Sequence, residues 1–338
     1  VTDMRIIVYT PFLVSMLLGL AIPHFGRRLP PATATRLLVG VGAAVAASSA
    51  FALACLAWTY LGQLPFIAAL GDWSIRLLKA HDPVSPVTAM IALLALGIVS
   101  VAAAATVARR CLDYLRAARA LRRMRGGPGG LVIVDDPAPG AYAVPGLPGG
   151  RGRVVVSTGI LRVLSADERR VLLAHERAHL RDRHHLYRAI ATVAAALNPL
   201  LAALPRTVEY TTERWADERA AGEVGDRRLA ARAIATAALA TTHHPHQARS
   251  AVLGFHHGDV PSRVTCLLAA PPRRHPLVTA LVIMALATCL AAVNEVRTDT
   301  ETLFEQAASR PATPATVAFA HATQAQTAKA AETVHRAG

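Results

Sequence analysis

His175-Glu176-Arg177-Ala178-His179, preceded by Val171-Leu172-Leu173-Ala174, is the stretch on which the reading of this chain turns. On a helix, residues four apart fall about 40° from each other around the axis, so both imidazoles reach one metal ion. Glu176, beside the first histidine, faces the water that completes the metal's coordination. Zinc lowers the pKa of bound water from 15.7 to about 7, which supplies a nucleophile at neutral pH. The pattern implies a zinc-dependent peptidase with His175 and His179 as ligands and Glu176 as general base. Ser165-Ala166-Asp167-Glu168 is a capping box, and it predicts a helix from about 166 to 184 with the two histidines in its middle. Val171, Leu172 and Leu173 give that helix an apolar side on which to pack.

Upstream, three short runs read as strands: 131–134, 141–144 and 153–157, each β-branched or apolar and bounded by Gly, Pro or Asp. The glycine-rich stretch 146–152 lacks the Gly-Lys-Ser/Thr of a phosphate loop and reads as a turn. Gly126-Gly127-Pro128-Gly129-Gly130 breaks the preceding basic helix and marks a boundary.

Of 338 residues, 53% are hydrophobic and only 17% charged, against about 25% charged in ordinary soluble domains. Uncharged runs at 6–26, 37–71, 83–108 and 275–294 each approach or exceed the roughly 20 residues that cross a bilayer core. They predict four spans, three within 1–108 and the fourth at 275–294. The first ends in Ile22-Pro23-His24-Phe25, without a small-residue cleavage site, and reads as a retained anchor. Arginines crowd the loop after the first run (Arg27, Arg28, Arg36), follow the third (Arg109 to Arg125) and precede the fourth (Arg273, Arg274). By the positive-inside rule the N-terminus lies outside, and a domain at 109–274 lies in the cytoplasm of a cell whose inner membrane holds the chain.

The formal net charge is +14. No DNA-reading motif or aromatic stacking platform accompanies it, so topology and anionic membrane lipids account for the charge, and direct nucleic-acid binding is not expected. Cys55, Cys111, Cys266 and Cys289 form no ligand pattern, and structural disulfides are not expected.

The segment 189–205 is uncharged, but Asn198-Pro199 interrupts it. If Glu213 is the third ligand, a single crossing here would put it across the membrane from His175 and His179. The segment is therefore read as a broken hydrophobic helix associated with the membrane. For the third ligand the residues alone leave several choices: Glu209, Glu213, Glu218, Glu223, the cluster His243, His244 and His246, or the pair His256 and His257. Glu213 and Asp217 share one helical face, but paired acids on an arginine-rich helix more often mark a solvated surface. His184 lies about 180° around the helix from His175 and cannot join the same metal while that helix persists.

Several segments in order resemble the core of integral-membrane gluzincins, the BlaR/MecR-type sensor peptidases and the HtpX and CAAX-prenyl-protease group. They are 141–145, 153–161, 164–168, 171–184, Asn198-Pro199-Leu200, and Glu213 with Asp217 four residues on. The resemblance covers roughly 130–220. It implies a polytopic α-helical membrane protein with a cytoplasmic zincin-like α+β metallopeptidase domain. It also implies Zn2+ held by His175, His179 and Glu213, Glu176 as base, and Asp217 behind the ligands. Arg263 is similar to an arginine of the group's C-terminal element, though its surroundings in the sequence read as ordinary surface.

The BlaR/MecR branch implies signalling by cleavage of a cytoplasmic winged-helix repressor of the BlaI/MecI type. The alternatives are an HtpX-like membrane quality-control protease and a non-catalytic membrane transducer. Residues 295–338, rich in Ala and Thr, carry no Ser-x-x-Lys acylation motif, so direct β-lactam binding is not expected and the tail reads as disordered and extracytoplasmic.

Overall fold

The computed structural model describes residues 8–71, 73–81, 84–123, 127–146, 150, 152–242, 260–270 and 276–308. It is mostly helical, with one small mixed sheet. Helices α1 (Thr10–Arg28), α2 (Pro31–Gly62), α3 (Pro65–Gly71), α4 (Ile75–His81) and α5 (Pro86–Arg123) come first. Strands β1 (Leu131–Val134), β2 (Ala141–Val144) and β3 (Arg153–Ser157) follow, with the bounds that their composition predicts. Then come α6 (Thr158–Val163), α7 (Ala166–Arg181), α8 (His184–Leu197), α9 (Leu204–Val224), α10 (Arg227–Thr242), α11 (Val260–Leu268) and α12 (Pro276–Ala308).

Among the described residues, two helices are long and apolar enough to cross a membrane, α2 and α5. These are the second and third of the four expected spans. α1 is only 19 residues long and ends in Arg27 and Arg28. α12 runs 14 residues past the span expected at 275–294, so 295–308 is helix rather than disordered tail; 309–338 lies outside the described residues. α5 is one continuous helix of 38 residues, about 57 Å at 1.5 Å per residue. It therefore outruns a bilayer core and carries the chain directly to the sheet. Met90, Ile91, Leu94, Ile98 and Val101 are exposed along it, an apolar face with no partner among the described residues. Its last turns pack Ala117 and Leu121 on Val132, Val144 and Val155. Arg153 closes the junction, its Nη1 donating to the Leu121 carbonyl at 2.9 Å.

The strand order is β1-β3-β2. β1 runs parallel to β3, Leu131 opposite Val154, and β2 runs antiparallel to it, Ala141 opposite Val156. β2 is therefore an edge strand. The inner face packs Val154, Val156 and Ala141 against Ile160, Leu164 and Leu172.

The largest core joins the apolar helices to the rest of the chain. Leu18 and Ile22 of α1 and Leu38 and Val45 of α2 meet Ala191, Ala194, Leu201, Leu204 and Val208. The hydrophobic stretch at 189–205 is indeed interrupted. α8 stops at Leu197, Asn198 caps a short 3₁₀ turn at Pro199–Leu201, and α9 begins at Leu204. Asn198 is buried, and its Nδ2 donates to Ser15 Oγ at 2.7 Å and Ser49 Oγ at 3.0 Å. A polar side chain in so apolar a setting stays only where its hydrogen bonds are made. Here they pin the break in the helix to α1 and α2.

Candidate metal centre

α7 starts where the capping box predicts. Ser165 Oγ accepts from the Glu168 amide at 3.3 Å, and Glu168 Oε2 accepts from the Ser165 amide at 2.9 Å. The helix buries Val171, Ala174, His175, Glu176 and Ala178 on one side. α9 lies across it and buries Trp215, Ala216, Asp217 and Ala220. The crossing brings donor atoms of His175, His179 and Glu213 within 4.8 Å of one another. Nε2 of His175 and Nε2 of His179 are 3.1 Å apart; Glu213 Oε2 is 3.5 Å from the first and Oε1 is 3.3 Å from the second. Asp217, one turn on, places Oδ1 3.0 Å from Nδ1 of His175.

The donor set suits a zinc ion, with two imidazole nitrogens and a carboxylate converging and a fourth position left for water or substrate. Glu213 Oε2 is buried, with Arg263 Nη1 at 2.9 Å and His175 Nε2 at 3.5 Å as its charged neighbours, and as a carboxylate oxygen it keeps a further lone pair for a cation. Of the other third-ligand choices, Glu209, Glu218 and Glu223 are not in this group. The histidines at 243, 244, 246, 256 and 257 lie outside the described residues.

Three side chains that the sequence reading left outside the site belong to it. Arg263 is not a surface residue: it is 3% exposed and gives Asp217 two hydrogen bonds, while its Nη1 stands 2.9 Å from Glu213 Oε2. Arg188, on α8, donates to Glu213 Oε1 at 2.5 Å and to Thr212 Oγ1 at 2.9 Å. His184 comes back to the site because α7 ends early. Asp182 caps the helix and Arg183 takes a left-handed conformation, φ 54 and ψ 42, so α8 starts in a new direction. No local signal in the sequence announces that turn, which falls at an arginine rather than a glycine.

Burial sets the electrostatics, and the ion pairs modify it. Burial pushes the Glu176 carboxyl up to about 7, opposed mainly by His175. Burial would lower His175, but hydrogen bonds donated by its ring to Asp217 and Glu213 outweigh it and raise the imidazole to about 10. His179 is held well below its ordinary value by burial. Burial would raise Glu213 and Asp217, yet Arg263 beside both keeps them below the usual carboxylate range.

A cleft opens beside the group, lined by Tyr142 and Ala143 of the edge strand and by Glu176, His179, Arg188 and Glu213. A second, apolar cavity is lined by Ile160, Leu172, Ile234 and Ala237 together with His175 and Arg263.

Residues 114–196 match the profile of Peptidase family M48. That match runs from α5 through the sheet to α8, and Glu213, Asp217 and Arg263 lie beyond it. Among curated proteins the chain is similar to the Protease HtpX homolog of Thermodesulfovibrio yellowstonii. The two are 39% identical over 71 residues, 21% of this chain and 25% of that protein. The chain thus matches only about a quarter of that relative's length. No solved structure matches the chain. Segment 114–196 is accordingly similar to Peptidase family M48 and the chain in part to an HtpX homolog, and His175 and His179 within that segment, with Glu213 beyond it, form a candidate metal group.

Proposed function

We propose that this chain is a membrane-attached, HtpX-like zinc endopeptidase that cuts extended polypeptide segments. The observation that carries the reading is the convergence of His175, His179 and Glu213 beside the buried Glu176, in a cleft whose wall is the edge strand β2. An edge strand offers unpaired backbone N–H and C=O groups, and an extended peptide adds to it as a further strand. The apolar cavity beside His175 suits an aliphatic side chain of that peptide.

His175, His179 and Glu213 would hold the zinc, which when bound supplies Lewis-acid activation of water and of the scissile carbonyl. Glu176 takes a proton from the attacking water and delivers it to the leaving amine. Burial raises the Glu176 carboxyl in the metal-free site, the direction that suits a group which must both accept and release a proton. Asp217 holds Nδ1 of His175, and Arg263 holds Asp217.

The HtpX likeness favours the quality-control reading over cleavage of a winged-helix repressor. No feature of the site speaks for that particular substrate, nor for a non-catalytic transducer. The apolar faces of α2 and α5 support membrane attachment, and the arginines flanking them support a cytoplasmic active site with the N-terminus outside.

The test uses the full chain in detergent, zinc-loaded, with an unfolded polypeptide as substrate. Glu176→Gln should keep the metal and lose roughly 10²–10⁴-fold in turnover. Undiminished cleavage by that variant, or a wild-type chain that binds zinc and cuts nothing, would overturn the proposal.

A further inference from the structure

His184 is 1% exposed, and its Nδ1 stands 2.9 Å from Nδ1 of His179. The other nitrogen of His179 faces His175 and Glu213. We propose that His184 is a positioning residue of the metal centre, whose unprotonated Nδ1 accepts the Nδ1–H of His179 and so fixes the ring that presents Nε2 to the cation. The inference rests on the zinc reading of the site.

Proton counting decides which ring donates. Two ring nitrogens at 2.9 Å cannot both carry a hydrogen, so one donates and the other accepts. A histidine that binds metal through Nε2 carries its hydrogen on Nδ1 and needs an acceptor there. His179 is therefore the donor, and the hydrogen of neutral His184 sits on Nε2. That Nε2 is buried with no hydrogen-bond partner among the described residues. An unmatched buried donor is unfavourable, and such groups in folded proteins mark places where another requirement prevails. The requirement here is the acceptor at Nδ1.

The packing keeps His184 from turning. Its ring lies 4.8 Å from that of Trp215, tilted by 49°, and Trp215 is itself 3% exposed. Over Trp215 sits the guanidinium of Arg36, 4.8 Å from the ring centre. A continuous row of contacts thus runs from the start of α2 to a metal-binding nitrogen. The backbone adds a further sign. Arg183, just before His184, is the single non-glycine residue with positive φ among the described residues. Strain of this kind persists where the surrounding structure demands it, and sites of function are where it concentrates.

The two candidate ligands on α7 consequently have different supports, the Asp217 carboxylate behind His175 and a neutral imidazole behind His179.

The test compares the full chain in detergent with His184→Asn, whose amide oxygen replaces the acceptor, and His184→Phe, which fills the space without one. Zinc affinity is read by chelator competition, and the cobalt-substituted protein gives an absorption spectrum that reports ligand geometry. Expected are near wild-type affinity and spectrum for His184→Asn. For His184→Phe, a roughly 10–100-fold loss of affinity with an altered cobalt spectrum is expected. If His184→Phe shows no cooperative thermal transition, His184→Leu takes its place under the same criteria. Wild-type affinity and spectrum in the variant without an acceptor, or equal losses in His184→Asn, would overturn the proposal. A wild-type chain that binds no zinc would instead sink the zinc reading itself.

Discussion

Arg263 and Asp217, 46 residues apart in sequence, are joined by two parallel hydrogen bonds, Nε to Oδ2 at 2.7 Å and Nη2 to Oδ1 at 2.6 Å. Both are almost wholly buried. The same guanidinium stands beside Glu213, so one cation from α11 offsets two carboxylates of α9. Without it, two acids would stand one helical turn apart in a dry site.

Removing that cation should be costly. Breaking a buried pair strands the remaining charge, at roughly 3–5 kcal/mol. Arg263→Met should therefore fall by about that amount in denaturation of the metal-free chain. Arg263→Lys should fall between, because it keeps the charge and loses the fork. A stability for Arg263→Met within 1 kcal/mol of wild type, about the worth of one ordinary hydrogen bond, would contradict this.

Asp217→Asn addresses the support of His175. Outer partners of metal-binding histidines are typically worth 10–100-fold in affinity. Chelator competition should show zinc binding weakened within that range, with the fold retained, as read by circular dichroism. An unchanged zinc affinity would remove Asp217 from the site.

His175 makes the metal-free protein sensitive to pH. Its folded-state value is raised from 6.5 to about 10 by Asp217 and Glu213, after burial has worked the other way. A raised value stabilises the fold fully below the unfolded pKa of 6.5, and that stabilisation is lost as pH rises through about 10. The metal-free chain should accordingly lose stability between those limits. Zinc must displace the same proton, so binding near pH 7.5 should release close to one proton from His175. Calorimetry in two buffers of different ionisation enthalpy measures that number, and a value of zero would contradict the assignment.

Gly19 tests the seam between the apolar helices and the rest of the chain. A Cβ there would run into the backbone carbonyl of Leu200, whereas one at Gly40 would meet nothing within 4 Å. Gly19→Ala should destabilise by about 1–3 kcal/mol. Gly40→Ala should be neutral or stabilising by up to about 1 kcal/mol, since it removes a helical glycine. Equal thermal midpoints for the two variants would show that α1 does not bear on the 3₁₀ turn.

What could be read from the chain is what depends on near neighbours. The spacing of His175 and His179 places both on one face of any helix that contains them, and the Ser165–Glu168 box starts that helix without outside help. The three strands are bounded by their own β-branched residues and flanking glycines, so their limits are legible. Their order is not, because β1 pairs in parallel with β3 and leaves β2 at the edge. How much of each uncharged run the protein itself buries is not legible, and α2 is buried far more than α5.

The choice of Glu213 among many acids and histidines depends on α9 crossing α7 at one register, where Val171 and Ala174 of α7 share a core with Ala220 and Ala221 of α9. Arg263 looks like a surface residue until α11 packs it against Asp217. His184 stands on the wrong face of α7 until Arg183 turns the chain. The sequence by itself determined the candidate chemistry, because two histidines four residues apart beside a glutamate are a local fact. Only the tertiary structure decided which distant groups complete and support it, because those groups meet through packing that no short stretch encodes.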